Sequence, residues 1–177
     1  MRIVGGKLKG IRFYPPKNLP VRPTTDLAKE ALFNILQNLY DLDTLQILDL
    51  FSGTGNISLE FASRGADKII SVDKNFGCYN YLKQIALDQN LIQIKAIKAD
   101  VFKFLNQETN QYDLIFADPP YELSSIPEIP ILVFERKLLN KNGMLIVEHQ
   151  SMQDLSQHPN FKENRKYGYS SFSFFEN

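Results

Sequence analysis

The chain has 177 residues, 44% of them hydrophobic and 23% charged, with a formal net charge of zero. This composition suits one soluble domain with a sizeable core and excludes a disordered chain, two large domains and, for want of a long apolar run, a membrane span. A lone cysteine (Cys78) and two histidines (His149, His158) exclude an internal disulfide and argue against structural zinc, so no metal is expected. The opening Met1–Gly6 lacks the apolar segment of a secretory signal, and the expected setting is the reducing cytoplasm.

Neutrality conceals a basic start. Arg2, Lys7, Lys9, Arg12, Lys17 and Arg22 all precede the first acid, Asp26. A solvated surface arm and a phosphate-contacting appendage both fit; the second would hold RNA without reading its sequence. Residues 1–20 are predicted to be hairpin-like, since Gly5-Gly6 can turn the chain and Leu8–Tyr14 alternates loosely. Pro15, Pro16, Pro20 and Pro23 then interrupt regular structure. Thr24 and Thr25 are N-cap candidates for an amphipathic helix over 25–39, in which Ala28, Leu32, Ile35 and Leu39 recur at helical spacing.

Beyond it, strand-like runs at Ile47–Phe51, Lys68–Val72, Ile92–Ile97, Tyr112–Ala117 and Met144–Val147 alternate with helical stretches near 57–64, 75–89, 101–107 and 129–139, with Gly65 as a C-terminal cap. That alternation implies a parallel sheet with helices on both faces. The tail, Phe161–Tyr167 and Ser171–Phe175 around Gly168-Tyr169-Ser170, reads as a hairpin that ends the sheet with an antiparallel strand.

Three features carry chemistry. Asp49-Leu50-Phe51-Ser52-Gly53-Thr54-Gly55 lies where a buried strand becomes a helix, the place where open parallel sheets bind ligands. Its glycines admit close backbone approach, and the N–H groups at the helix start suit a carboxylate. A dinucleotide fingerprint would require glycine at position 58, where Ser58 stands, and no phosphate-loop lysine follows. Asp73 ends the second strand and can accept ribose hydroxyls; Asp100 follows the third and can accept an adenine amino group. Asp118-Pro119-Pro120-Tyr121 ends the fourth strand. Its prolines hold the Pro119 carbonyl rigidly, Asp118 adds an acceptor and Tyr121 a flat ring, a set suited to a base bearing an amino group. Cys78 reads as core, and the histidines receive no role.

With these residues in view, the chain resembles the bacterial 16S rRNA guanine-N2-methyltransferases. The likeness rests on Arg2–Gly10, Val21–Asp26, Lys29–Leu36, Asp49–Gly55, Glu60, Ser63–Ala66 and Asp118–Tyr121, and spans nearly the whole chain. It implies a three-layer, Rossmann-like class I methyltransferase fold: a seven-stranded, mostly parallel sheet with one antiparallel strand. It implies a basic arm over residues 1–24 for RNA capture and a methyltransferase domain over 25–177. It further implies S-adenosyl-L-methionine as cofactor and S-adenosyl-L-homocysteine as product. Cofactor contacts would come from Asp49, Phe51, Ser52, Gly53, Thr54, Gly55, Asp73, Lys74, Asp100, Val101 and Asp118, with Arg22 and Thr24 at the entrance. Asp118, Pro119, Pro120 and Tyr121 would receive a flipped-out guanine, and Arg2, Lys7, Lys9, Arg12 and Lys17 would contact RNA. The expected partner is 16S rRNA within a small ribosomal subunit or assembly intermediate, and the expected state a monomer. Ser52, Thr54 and Ser58 depart from the family pattern, Ser58 being expected to alter only helix packing, and the C-terminal hairpin matches it poorly. An adenine-N6 methyltransferase, a nicotinamide-dependent oxidoreductase and a non-catalytic RNA-binding assembly module are the rival readings.

Overall fold

The apolar runs become neighbouring strands of one sheet in the computed structural model, which describes residues 1–20 and 25–177. In chain order these residues form α1 (Asp26–Leu39), a 3-10 turn (Leu42–Thr44), β1 (Gln46–Leu50), α2 (Asn56–Ser63), β2 (Lys68–Asp73), α3 (Phe76–Asp88), β3 (Ile94–Lys98), α4 (Val101–Gln107), β4 (Tyr112–Ala117), α5 (Glu128–Glu135), β5 (Leu139–Gln150), β6 (Phe161–Tyr167) and β7 (Ser170–Glu176). The strands lie in the order β3-β2-β1-β4-β5-β7-β6. Strands β1 to β5 pair in parallel, and β7 runs antiparallel to both β5 and β6. The chain builds outward from β1 to the β3 edge and then returns to place β4 against β1. The carboxyl ends of β1 and β4 therefore flank a topological switch point, where the crevice for a ligand opens.

Strand periodicity explains the three layers. Successive residues face opposite sides, so Ile47, Ile69, Leu114, Phe116 and Ile146 pack with α1, α2 and α3, whereas Leu48, Ile70, Ile115, Ala117 and Val147 pack with α4 and α5. Because both faces are covered, the central strands read as continuous apolar runs. Helix ends follow local chemistry. Thr25, Asn75 and Asp100 accept hydrogen bonds from Ala28 N, Cys78 N and Lys103 N at 3.2, 3.0 and 3.0 Å. At the end of α2, Gly65 takes φ 96°, and Gly65 N and Ala66 N donate to Ala62 O and Phe61 O, both at 3.1 Å.

The N-terminal arm folds back as expected, with an antiparallel bridge between Arg2 and Arg12. Gly6 does more than turn the chain: at φ 73° it lies so close to α2 that a Cβ would come within 2.0 Å of Ser63 O. Ile3 and Phe13 enter the main core. Beneath the arm, Lys29 and Glu60 are both 0% exposed, with Lys29 Nζ 3.4 Å from Glu60 Oε2. Lys29 Nζ also donates to Asn56 Oδ1 at 2.9 Å and to Arg2 O at 2.5 Å. Glu60 accepts from Val4 N at 2.9 Å and from Arg64 Nη2 at 2.8 Å. Burial pulls the Lys29 ammonium below its ordinary range, against the pull of Glu60.

Three elements differ from expectation. α5 stops at Glu135, not at residue 139, because Lys137 takes φ 54° and reverses the chain. β5 is far longer than Met144–Val147: it starts at Leu139, and polar Asn140–Gly143 sit at a register shift opposite Tyr112–Leu114. The β6–β7 connection is only Gly168-Tyr169, Ser170 belonging to the strand. Arg22 and Thr24 lie outside the described residues.

Glu60→Ala would leave Lys29 and Arg64 as buried cations without their shared carboxylate. It is expected to lower unfolding free energy by about 3–5 kcal/mol in denaturant titration, and to open residues 1–20 to limited proteolysis.

Candidate active site

The site is built at the carboxyl ends of β1, β2, β3 and β4. After Leu50 the backbone turns through Phe51 at φ 58°, Gly53 at φ 53° and Gly55 at φ 84° before α2 starts. A left-handed phenylalanine is strained by about 1–3 kcal/mol, and such residues gather at ligand sites. The turn is held from both sides: Ser52 N donates to Val72 O at 3.1 Å, and Gly55 N to Ser52 O at 2.8 Å. Gly55 cannot carry a side chain, since a Cβ would stand 2.3 Å from Leu82 Cδ1 of α3. Thr54 is buried, its hydroxyl 3.7 Å from Met1 Sδ, so the arm packs against this loop.

The strand-end acids diverge. Asp73 is half-buried at the cleft, accepting from Gly53 N at 2.8 Å and Asn75 N at 2.7 Å. Those two bonds fix the carboxylate between the β1–α2 and β2–α3 loops, and its remaining lone pairs can accept from a diol. Asp100 is exposed and caps α4, with Val101 buried behind it and Lys74 exposed beside Asp73. Asp49 is turned inward. It is only 1% exposed and accepts hydrogen bonds from Ser58 N at 3.1 Å and from Ser58 Oγ, which lies 2.7 Å from Ser71 Oγ. Asp49, expected among the cofactor contacts, thus anchors the first turn of α2 with its side chain. Ser58 likewise does more than alter helix packing, because its hydroxyl links Asp49 to β2. Serine in place of the third glycine was the available signal, and its partner lies far off in sequence.

The Asp118–Tyr121 strip follows β4 directly. Asp118 N donates to Leu50 O at 3.3 Å, joining the strip to the start of the β1 loop. Pro119 is buried and Pro120 exposed; Pro120 O accepts from Leu123 N at 2.9 Å, closing a turn around Tyr121. The Tyr121 hydroxyl sits 2.5 Å from Ser170 Oγ at the start of β7. Sequence reading missed this partner, and also Phe102 of α4, whose ring meets Phe51 edge-on at 6.3 Å and walls the loop.

Lys7, Lys9, Arg12 and Lys17 are exposed on the arm. Arg2, expected with them, instead pairs with Asp26 at 3.0 Å and Glu30 at 3.4 Å, which matches its charge on α1. His149 is buried against Ser173 Oγ at 2.7 Å, and His158 lies between Phe134 and Phe175, so neither reaches the cleft. A separate groove of about 500 Å³ lies between α3 and β3 and is lined by none of the motif residues. Among the described residues no helix is long and apolar enough to cross a membrane, and no cluster of His, Cys, Asp or Glu could hold a metal ion.

The chain and its fold are similar to those of known proteins. Residues 1–176 match the family described as Conserved hypothetical protein 95. Ribosomal RNA small subunit methyltransferase D of Buchnera aphidicola subsp. Acyrthosiphon pisum is 30% identical over 157 residues, covering 86% of this chain and 80% of that one. A hypothetical protein of Thermus thermophilus superposes with a TM-score of 0.87 at 25% identity, covering 100% of this chain and 99% of that one. The fold is also that of the T. thermophilus 16S rRNA N2 G1207 methyltransferase (RsmC) solved with AdoMet and guanosine, with a TM-score of 0.73 at 21% identity, covering 99% of this chain and 49% of that one.

Burial raises the Asp49 carboxyl from its ordinary 3.8 to about 7, against the Ser58 hydrogen bonds and with a push from Asp73. A proton held more tightly in the folded state stabilises the fold most at low pH, and that contribution is lost as pH rises through the folded value. Asp49→Asn is therefore expected to flatten the decline in unfolding free energy between about pH 4 and about pH 7, as followed by urea denaturation.

Proposed function

The chain belongs to the Conserved hypothetical protein 95 family, and on that premise we propose that it transfers a methyl group from S-adenosyl-L-methionine to the N2 amino group of a guanine in 16S rRNA. The observation that carries this reading is the direct bond from Asp118 N to Leu50 O at 3.3 Å, which sets the amino-group strip beside the glycine loop. The residues present fit the cofactor. The Gly53–Gly55 turn lets the backbone approach a methionine moiety, Asp73 can accept the ribose hydroxyls, and Asp100 with Val101 can receive the adenine edge. Ser52, Thr54 and Lys74 complete the surround, with Phe51 and Phe102 as an apolar wall. When bound, S-adenosyl-L-methionine supplies a methyl on a sulfonium, an electrophile whose departing product is neutral S-adenosyl-L-homocysteine.

The chain's own groups address the difficulty on the other side. An aromatic amino nitrogen is a poor nucleophile because its lone pair is delocalised into the ring. Asp118 and the Pro119 carbonyl accept hydrogen bonds from its protons and return electron density to nitrogen. Pro119 and Pro120 keep these acceptors rigid, and Tyr121, anchored on Ser170, offers its ring to a base flipped into the cleft. Fixed alignment replaces a chance encounter and removes several kcal/mol of the barrier. The proton leaves nitrogen after the methyl arrives, so no strong base is required. Lys7, Lys9, Arg12 and Lys17 hold phosphates beside the cleft. The substrate context in this reading is a small subunit or its assembly intermediate, met in the cytoplasm by a monomer.

Purified protein given methyl-labelled cofactor and 16S rRNA or small subunits is expected to label RNA, with N2-methylguanosine as the labelled nucleoside. N6-methyladenosine would overturn the guanine assignment, and unlabelled RNA the whole reading. Asp118→Ala is expected to reduce kcat on the order of 10²-fold with cofactor affinity retained in calorimetry, since it removes an acceptor used in the transition state. Neutralising Lys7, Lys9 and Arg12 together is expected to lower the slope of log affinity against log salt by about 2, at roughly 0.7 per single-strand phosphate contact.

A further inference from the structure

The β6–β7 hairpin carries a surface that neither the cofactor loop nor the Asp118–Tyr121 strip uses. Its two-residue turn, Gly168-Tyr169 with Gly168 at φ 64°, leaves Tyr169 92% exposed. Met152, in the loop that follows β5, is 95% exposed. The register brings the two together: Gln150 pairs with Ser170, and Ser151 N donates to Tyr169 O at 3.0 Å. The Ser151 hydroxyl also donates to Gly168 O at 3.1 Å, so the turn and the loop brace each other. The exposed ring is therefore held on a braced turn, free to meet a flat partner from solvent.

Their place in the molecule suggests the occupant. Ser170, the next residue after Tyr169, holds the Tyr121 hydroxyl at 2.5 Å. The exposed pair thus continues the rim of the amino-group cleft. Lys166, exposed on the same hairpin, adds positive charge. A flat exposed ring on a hairpin that also carries an exposed lysine, one residue from the Tyr121 anchor, matches the way proteins hold unpaired nucleotides: bases stack on aromatic faces while cations meet the backbone.

We infer that Tyr169, on the turn braced by the loop that carries Met152, is a stacking platform for an unpaired base of the RNA neighbouring the target guanine. It thereby holds the strand open next to the cleft and helps decide which guanine enters. The basic arm meets the substrate from the side of the β1 loop, and the platform meets it from the side of β7. This inference rests on the proposed methyl transfer to RNA only for the identity of the nucleic acid.

The chain contains no tryptophan, so Tyr169→Trp introduces a single reporter. Titration with 16S rRNA or small subunits is expected to quench its fluorescence, because stacking on a base quenches indole. An Ile92→Trp control, at a position 91% exposed beside the opposite sheet edge, is expected to remain unquenched. Tyr169→Ala is expected to weaken RNA binding about tenfold and raise KM for RNA, with Tm and cofactor affinity unchanged. Tyr169→Phe should restore binding and Tyr169→Leu should not, which separates stacking from simple apolar contact. Quenching without methyl transfer would retain the platform and remove the proposed activity. Methyl transfer with the introduced indole unquenched would overturn the platform alone. Quenching that persists after ribonuclease digestion of the subunit's RNA would assign the ring to a ribosomal protein and overturn it as well.

Discussion

One buried carboxylate organises the molecule. Glu60, in the middle of α2, is met by Lys29 from α1, by Arg64 one helical turn on, and by Val4 N from the arm. Removing these charges from water is unfavourable unless every one is paired, so the geometry tolerates little slack. Lys29 extends the restraint to Asn56, the first residue of α2, and to Arg2 O. Three segments distant in sequence are thus fixed about the start of α2, where the glycine turn delivers the chain. The turn cannot shift without disturbing α1 and the arm as well.

Similar strand-end acids acquire different duties through their surroundings. Asp49 sits one pleat inside the sheet and faces Ser58, and burial favours its protonated form. Asp73 ends its strand, stays half-solvated and fastens two loops while keeping acceptor capacity. Asp100 stands farther out as a helix cap. From inside to outside, the series passes from holding the helix, to holding the loops, to facing the solvent from which a ligand arrives. Asp118 belongs to the outer group, because it follows Ala117 of β4 and is tied to Leu50 through its backbone.

The cleft has two dissimilar rims. On the β1 side the arm lies against Thr54 through Met1 and displays lysines and arginine. On the β7 side the hairpin turn displays Tyr169 and grips Tyr121 through Ser170, with Met152 exposed on the loop after β5. Charge attracts a phosphate chain irrespective of sequence, whereas a ring discriminates stacked from unstacked bases. On the proposed reading, those chemistries divide capture from selection.

What the amino-acid order determined by itself was whatever depends on near neighbours. The alternation of apolar runs with helical spacing set the layers; Thr25 and Gly65 marked helix ends, and Asp118–Tyr121 declared a rigid acceptor strip. Polar Asn140–Gly143 hid the first half of β5 for the same reason, since a register shift is a property of two strands and not of one. Which way Asp49 pointed, that Arg2 was already paired on α1, that Ser58 touched Ser71, and that Tyr121 rested on Ser170 were decided only by tertiary structure. Each of these depends on a partner far along the chain, and only folding brings such partners within the few ångströms over which hydrogen bonds and ion pairs act.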